Sequence, residues 1–287
     1  MNLFIQIFIN GILQGGFYII IALGLTLTWG ILNIPNLTHG TFIILGGYIT
    51  WYLYNKFHID PLLNLPIVVS VMFILGYVLQ RGLINLVIKA PKFNTLLLTF
   101  GLNILITNII QLIFSTKSHI INPIYANKSI IFGHFLFPEI KLIAFFMGIF
   151  LAIGMWFFLL HTKLGCSIRA TPQNLIIARF CGINPRHLYA ITFAISTGIS
   201  GIAGAFYGMI FQINPYIGPM LTTKSFIISS IGGLNNPINI IFGAILLGIV
   251  ESLTTLYIGP TFTDLFSFGI LVLILSFRPN GLMGKAT

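Results

Sequence analysis

The chain has 287 residues, 57% of them hydrophobic and 6% charged, and its net charge of +10 reflects only four acidic residues against fourteen Lys and Arg. A soluble domain carries about 25% charged residues, so the composition excludes a soluble globular protein and implies an all-α, polytopic membrane protein. The basic residues are scattered between apolar runs and form no dense stripe, which argues for the lipid bilayer as a partner and against nucleic acid.

Apolar runs fall at 3–29, 39–56, 62–80, 94–114, 140–160, 188–211, 238–258 and 264–277. About twenty helical residues cross the hydrocarbon layer, so most of these runs can span it. The first run precedes any Lys or Arg, the first being Lys56, and so lacks the charged start of a cleavable signal peptide. It reads as a retained span. A shorter stretch, 222–236, ends in Gly232-Gly-Leu-Asn-Asn-Pro237 and reads as a short span or a re-entrant segment.

Between the first two runs, Pro35 and Gly40 interrupt the helix while Asn33, Asn36, Thr38 and His39 supply hydrogen-bonding groups. Such a break at membrane depth must line protein or water, and broken helices often form transport sites. An ordinary turn at the membrane surface is the other reading. Asn33, Asn36, His39 and Glu251, the last an ionisable residue inside the run 238–258, are the candidate pathway residues. For Glu251 a structural pair with Lys224 or with a helix N-terminus competes with that role.

The segment from Lys163 to Arg186 is a basic island without acidic residues. Within it, Thr171 suits an N-cap, Pro172 the first helical position and Gly182 a left-handed terminal site, while Pro185 blocks continuation. This predicts a helix over 172–181. So short a helix is marginal alone and needs something to rest on. On a cytoplasmic loop it suggests a docking element for a soluble partner.

The run 188–211 places Ser196, Ser200, Gly204 and Gly208 at four-residue spacing, a stripe along which a neighbouring backbone can approach closely. Two readings stand: helix packing within one subunit, or a moving seam or subunit interface along a pathway. Putting nine of the fourteen basic residues inside gives nine membrane-entering segments, with the N-terminus outside (periplasmic) and the C-terminus cytoplasmic; an eight-span arrangement strands Arg278 on the wrong side. Lys224 then falls outside, near Asp264. No tandem repeat or soluble linker divides the chain, so 1–287 is one membrane domain with a cytoplasmic loop at about 161–187.

Several chemistries lack their residues. Gly198-Ile-Ser200-Gly201 matches the surroundings of an intramembrane serine nucleophile, yet all six histidines precede Ser200, and the match is better explained by the stripe. Cys166 and Cys181 have neither metal-ligand spacing nor a matching His pair, and no phosphate-cradling loop is present. Neither catalytic residues nor a metal or other cofactor is expected, and the chain cannot power transport with ATP by itself.

The ordered fragments Gly24-Leu-Thr-Leu-Thr-Trp-Gly30, Asn36-Leu-Thr-His39-Gly40, Gly165-Cys-Ser-Ile-Arg169-Ala170, Gly182-Ile-Asn184, Asn214-Pro-Tyr-Ile-Gly218, Lys224-Ser-Phe226, Gly232-Gly233, Glu251 and Arg278-Pro-Asn-Gly-Leu-Met-Gly284 resemble the permease subunits of bacterial branched-chain amino acid ABC importers, particularly the H-type member of the permease pair. The resemblance covers nearly the whole length. It implies a type II-like ABC permease fold in the bacterial inner membrane. Its implied partners are ABC ATPase subunits, a second permease subunit, a periplasmic substrate-binding protein and a small amino-acid substrate, moved by alternating access. Arg169, Ala170, Gln173, Asn174, Ala178 and Gly182 fall on the family's coupling motif, and Arg179 shares the segment; Gln173-Asn174 stands where relatives commonly carry an acidic residue. A stand-alone ion-coupled secondary transporter or channel is the alternative.

Overall fold

The computed structural model describes residues 2–32, 36–87, 91–126, 128–132, 135–233, 236–278 and 281–282. In chain order its helices are α1 (Asn2–Leu25), α2 (His39–Phe57), α3 (Leu65–Leu79), the single turn α4 (Asn85–Val87), α5 (Lys92–Phe114), α6 (Glu139–His161), α7 (Lys163–Ala170), α8 (Leu175–Phe180), α9 (Pro185–Ile210), α10 (Gly218–Gly232), α11 (Asn239–Tyr257) and α12 (Thr263–Phe277). Wide π-helical turns extend α1 over Thr26–Ile31 and α3 over Gln80–Ile84.

Seven stretches, including Phe4–Gly30 and Leu65–Val87 with their π turns, are long and apolar enough to cross a membrane. Among the described residues, nine helices have fifteen residues or more, and they match the nine apolar segments of the sequence. The two outside the seven are α2 and α10. Helix α2 carries His39, Asn55, Lys56 and several Tyr and Thr residues that dilute its apolarity. Helix α10, at fifteen residues, rises only about 22 Å.

The ends of the helices follow local chemistry. Asn184 caps α9 by accepting from the Arg186 and His187 N–H groups, and Pro185 occupies the first turn, where its missing N–H is harmless. Pro66 and Pro219 sit likewise at the starts of α3 and α10.

One end of the bundle carries a feature absent from the sequence reading: a two-stranded hairpin, β1 (Ser129–Phe132) against β2 (Phe135–Pro138). Gln6 fixes it to α1, donating to the Leu136 carbonyl at 2.7 Å and accepting from the Leu136 N–H at 2.9 Å. Tyr125 at the same end donates to Asp60 at 2.9 Å. The opposite end holds Arg81, α7, α8 and the start of α9.

The core lies where α9 passes between α1, α2 and α3. Small residues let the backbones touch, so that a Cβ on Gly204 would sit 2.0 Å from the Ile43 carbonyl oxygen and 2.5 Å from the Gly47 nitrogen. Ser196, Ser200, Gly204 and Gly208 are all buried inside this one chain. Buried so, these four residues are not available to a subunit interface.

Candidate functional site

The basic island folds as two short helices, not the single helix predicted over 172–181. Helix α7 starts at Thr162, whose Oγ1 accepts from the Gly165 N–H at 3.0 Å, and Thr171 ends it, donating to the Ser167 carbonyl at 2.7 Å. A turn follows, and α8 is capped by Asn174, which accepts from the Ile176 and Ile177 N–H groups at 3.0 and 3.1 Å. Thr171 is therefore the C-cap of one helix, and Asn174 is the N-cap of the next. Gly182 does terminate α8, at φ +78°. Pro185 opens α9 directly.

Residues of the predicted coupling segment differ in what they touch. Arg169 Nε donates to the Leu159 carbonyl at 3.0 Å, clamping α7 onto the end of α6. Ala178 is buried against the bundle, whereas Ala170, Gln173, Asn174, Arg179 and Gly182 are exposed. Beside them α8 turns out apolar side chains that the sequence reading passed over: Ile176 is 68% and Phe180 87% exposed, with Leu175 and Ile177 also out. A six-residue helix displaying four large apolar groups has an unburied face.

The second group surrounds the chain break. Asn33 lies outside the described residues. Asn36 is buried, its Oδ1 accepting from the Thr38 N–H at 3.1 Å while its Nδ2 has no partner among the described residues. His39 opens α2 from a fully buried position, with Nε2 2.8 Å from the Ile21 carbonyl and Nδ1 3.4 Å from Ser200 Oγ. A carbonyl can only accept, so Nε2 carries the proton and Nδ1 is an acceptor.

The fold thus pairs Ser200 with a histidine that precedes it by 161 residues, correcting the ground on which the sequence reading set the Gly-x-Ser-Gly match aside. The arrangement is still that of a tether. Ser200 has a closer acceptor in the Ser196 carbonyl at 3.0 Å, a backbone carbonyl and no carboxylate orients the imidazole, and both side chains are buried. Ser196 in turn donates to the Gly24 carbonyl at 2.7 Å, so the stripe locks α9 to α1 by hydrogen bonds as well as by contact.

The third group is an ion pair inside the bundle. Lys224 Nζ on α10 lies 2.8 Å from Glu251 Oε1 on α11, with the residues 8% and 4% exposed. Lys224 is therefore not the outer-surface residue that charge placement suggested. The Tyr18 hydroxyl hydrogen-bonds to the other carboxylate oxygen, Ser267 Oγ of α12 shares its proton between the Thr263 carbonyl at 2.8 Å and Oε1 at 3.0 Å, and Asp264 stands 3.8 Å from Lys224. Gln14 donates to Tyr18 at 3.0 Å. Four helices, α1, α10, α11 and α12, meet at this carboxylate. Charge burial of this kind is sustained only when each oxygen has partners. The sequence reading weighed the pairing of Lys224 with Glu251 and set Lys224 near Asp264, but missed Tyr18 and Ser267. The available signal was Lys224 standing as the one charged residue of the stretch 218–232.

Among the described residues no group of three or more His, Cys, Asp or Glu could hold a metal ion.

The sequence model of the branched-chain amino acid transport system permease component matches residues 7–275. The chain belongs to this family. It is 26% identical over 301 residues to the high-affinity branched-chain amino acid transport system permease protein BraD of Pseudomonas aeruginosa, covering 98% of this chain and 96% of the relative. It is 25% identical to LivH of Escherichia coli K12, with the same coverage, and 28% identical to the probable LivH of Methanocaldococcus jannaschii, covering 96% of this chain and 91% of that one. No solved structure matches. The resemblance read from the ordered fragments is thereby placed at full length, in a family of transport permeases. The chain is a multi-pass helical membrane protein and a permease component.

Proposed function

We propose that this permease is the membrane subunit of an ATP-driven importer of branched-chain amino acids in a bacterial inner membrane. A separate ATPase binds α7 and α8, a second permease completes the pathway, and a periplasmic binding protein delivers the substrate. The observation that carries the reading is the exposed face of α8, whose Ile176 and Phe180 stand out beside Arg179 in a chain of this permease family. A soluble partner with an apolar groove and acidic rim complements it. With that end cytoplasmic, the hairpin end faces the periplasm, the N-terminus is outside and the C-terminus inside.

The whole chain acts as one permease domain. His39 and Glu251 lie on helices that would border the route and tie them to their neighbours, and Asn36 precedes α2 beside them. Substrate selectivity resides with the binding protein, because a tight site in the permease would oppose release.

The test is co-purification and reconstitution. Phe180→Asp with Arg179→Glu should abolish stoichiometric recovery of the ATPase while the permease still inserts, because neither side chain supports the bundle. Arg169 is a poorer probe, since its reversal also removes the clamp on Leu159. Retained recovery, or ATP-independent uptake by this chain alone in liposomes, would refute the reading. Ligand-stimulated hydrolysis with candidate binding proteins identifies the substrate.

A further inference from the structure

At the end of the bundle opposite the hairpin, a cavity of about 390 Å³ opens between the base of α3 and the start of α9. Arg81, Asn85, Leu86, Asn184, Arg186 and His187 line it. Arg81 Nη1 donates to the Tyr77 hydroxyl at 2.8 Å, and that hydroxyl lies 3.0 Å from His187 Nδ1. A guanidinium can only donate, so the Tyr77 oxygen accepts from Arg81. Asn85 Nδ2 is engaged by the Arg186 carbonyl at 3.1 Å. The first N–H groups of α9 are already taken by Asn184, so any ligand is held by side chains, chiefly the guanidinium groups of Arg81 and Arg186. Both guanidinium groups can only donate.

No carboxylate balances them. The four acidic residues are Asp60, Glu139, Glu251 and Asp264, and among the described residues the ion pairs involve only Lys224, Glu251 and Asp264. Asp60 precedes the far end of α3, whose sixteen-residue rise from Leu65 to Arg81 is about 24 Å. Glu139 and Asp264 begin α6 and α12, at the end where the hairpin lies. Two arginines with unspent donors and no acid within reach fit an oxyanion with several acceptor oxygens.

The surroundings select its source. Leu86, on the cavity wall, is 77% exposed, and Ile74 and Val78 stand exposed above Arg81 on the same side of α3, at steps of four and three residues. They form the wall that hydrocarbon covers in a chain of this hydropathy. A ligand with its phosphate between Arg81 and Arg186 and its chain along Val78 and Ile74 meets both features at once. We propose that this cavity binds the phosphate of an anionic phospholipid whose acyl chain lies on the exposed face of α3. Basic pockets at the membrane boundary between helices are suited to such headgroups.

The test uses the full-length permease in mild detergent, with native mass spectrometry counting retained lipid. Wild type should hold phosphatidylglycerol in preference to phosphatidylcholine. Arg81→Gln/Arg186→Gln should lower retention on the order of tenfold or more. Arg81→Lys/Arg186→Lys should recover part of it, and Lys56→Gln, near the other end of the bundle, should leave it unchanged. Size-exclusion profiles of the four proteins verify folding. Equal retention of both lipids by wild type, or undiminished phosphatidylglycerol on the Gln variant, overturns the proposal. So does inorganic phosphate alone displacing the lipid at millimolar concentration, which would make free phosphate the occupant. Loss of ATPase recovery in the Gln variant with lipid retention intact also overturns it, in favour of a protein partner.

Discussion

Removing one side of the Lys224–Glu251 pair should be unequal in its effect. Lys224→Met takes away the cation 2.8 Å from Glu251 Oε1 and leaves the carboxylate, 4% exposed, with only the hydroxyls of Tyr18 and Ser267. Breaking a buried pair this way costs about 3–5 kcal/mol, because the remaining charge stays desolvated. Glu251→Gln keeps an acceptor for Tyr18 and Ser267, and Lys224 retains Asp264 at 3.8 Å. Its loss is that of charge-assisted hydrogen bonding, about 1.5–3 kcal/mol. The double variant Lys224→Met/Glu251→Gln removes both charges while keeping an acceptor for Tyr18 and Ser267, and losing both charges of a buried pair costs far less than stranding one. The two single losses should therefore exceed the loss of the double by about 2 kcal/mol or more. Unfolding in detergent, followed for wild type and the variants, measures this. Additive losses, or Glu251→Gln proving the more damaging, would refute the assignment of Lys224 as the indispensable partner.

Two further outcomes test the packing and one of the loops. Gly204→Ala should destabilise the bundle by about 1–3 kcal/mol or more, because its Cβ would meet the Ile43 carbonyl oxygen at 2.0 Å. Gly198→Ala on the same helix, where the nearest atom is Val69 Cγ1 at 3.4 Å, should be tolerated in the same thermal assay; equal effects would show that α2 and α9 are not in backbone contact. In the loop before the hairpin, burial and then the Asp60 carboxylate hold the Tyr125 phenol well above its usual range. Its hydrogen bond stabilises fully below the unfolded phenol value, about pH 10, and is lost as pH rises through the higher folded value. The stability difference between wild type and Tyr125→Phe should stay flat from about pH 6 to 9 and shrink only in stronger alkali; shrinkage near neutrality would contradict the assignment.

The helical segments were legible because period and length suffice for them: runs such as 140–160 and 238–258 return as α6 and α11 within a residue or two. The pairing of Lys224 with Glu251 was open to sequence only as one option, because 27 residues separate them and α10 and α11 must fold back before they meet. His39 and Ser200 were illegible for the same reason at greater separation. The loop helix was misplaced on a local ambiguity. Thr171-Pro172 and Asn174 each satisfy the rules for a helix start, and Thr171 is instead used by the helix behind it, through the Ser167 carbonyl. The hairpin has no strong turn signature, and its anchoring by Gln6 comes from the far terminus. Exposure of the α8 side chains was invisible in a chain where apolar residues are the majority.

The distribution of contacts bears on how such a permease can move. The span in α9 is 83% buried, whereas that running through α12 is 11% buried. Helix α9 is joined to α1 by Ser196 on the Gly24 carbonyl, to α3 by Thr197 on the Met72 carbonyl, and to α2 by backbones with no space for a methyl group. Sliding α9 past these neighbours would break buried hydrogen bonds and drive backbones together, so close packing makes this block resist graded deformation. The Glu251 cluster ties α10 and α11 into the same block through Tyr18. Under the importer reading, the stroke delivered at α7 and α8 reaches the block rigidly, through the Arg169 clamp on α6 and the Asn184 cap on α9. Opening and closing then belong to the boundary between this block and what lies outside the chain. That boundary is where the exposed apolar faces of α5 and α12 already lie.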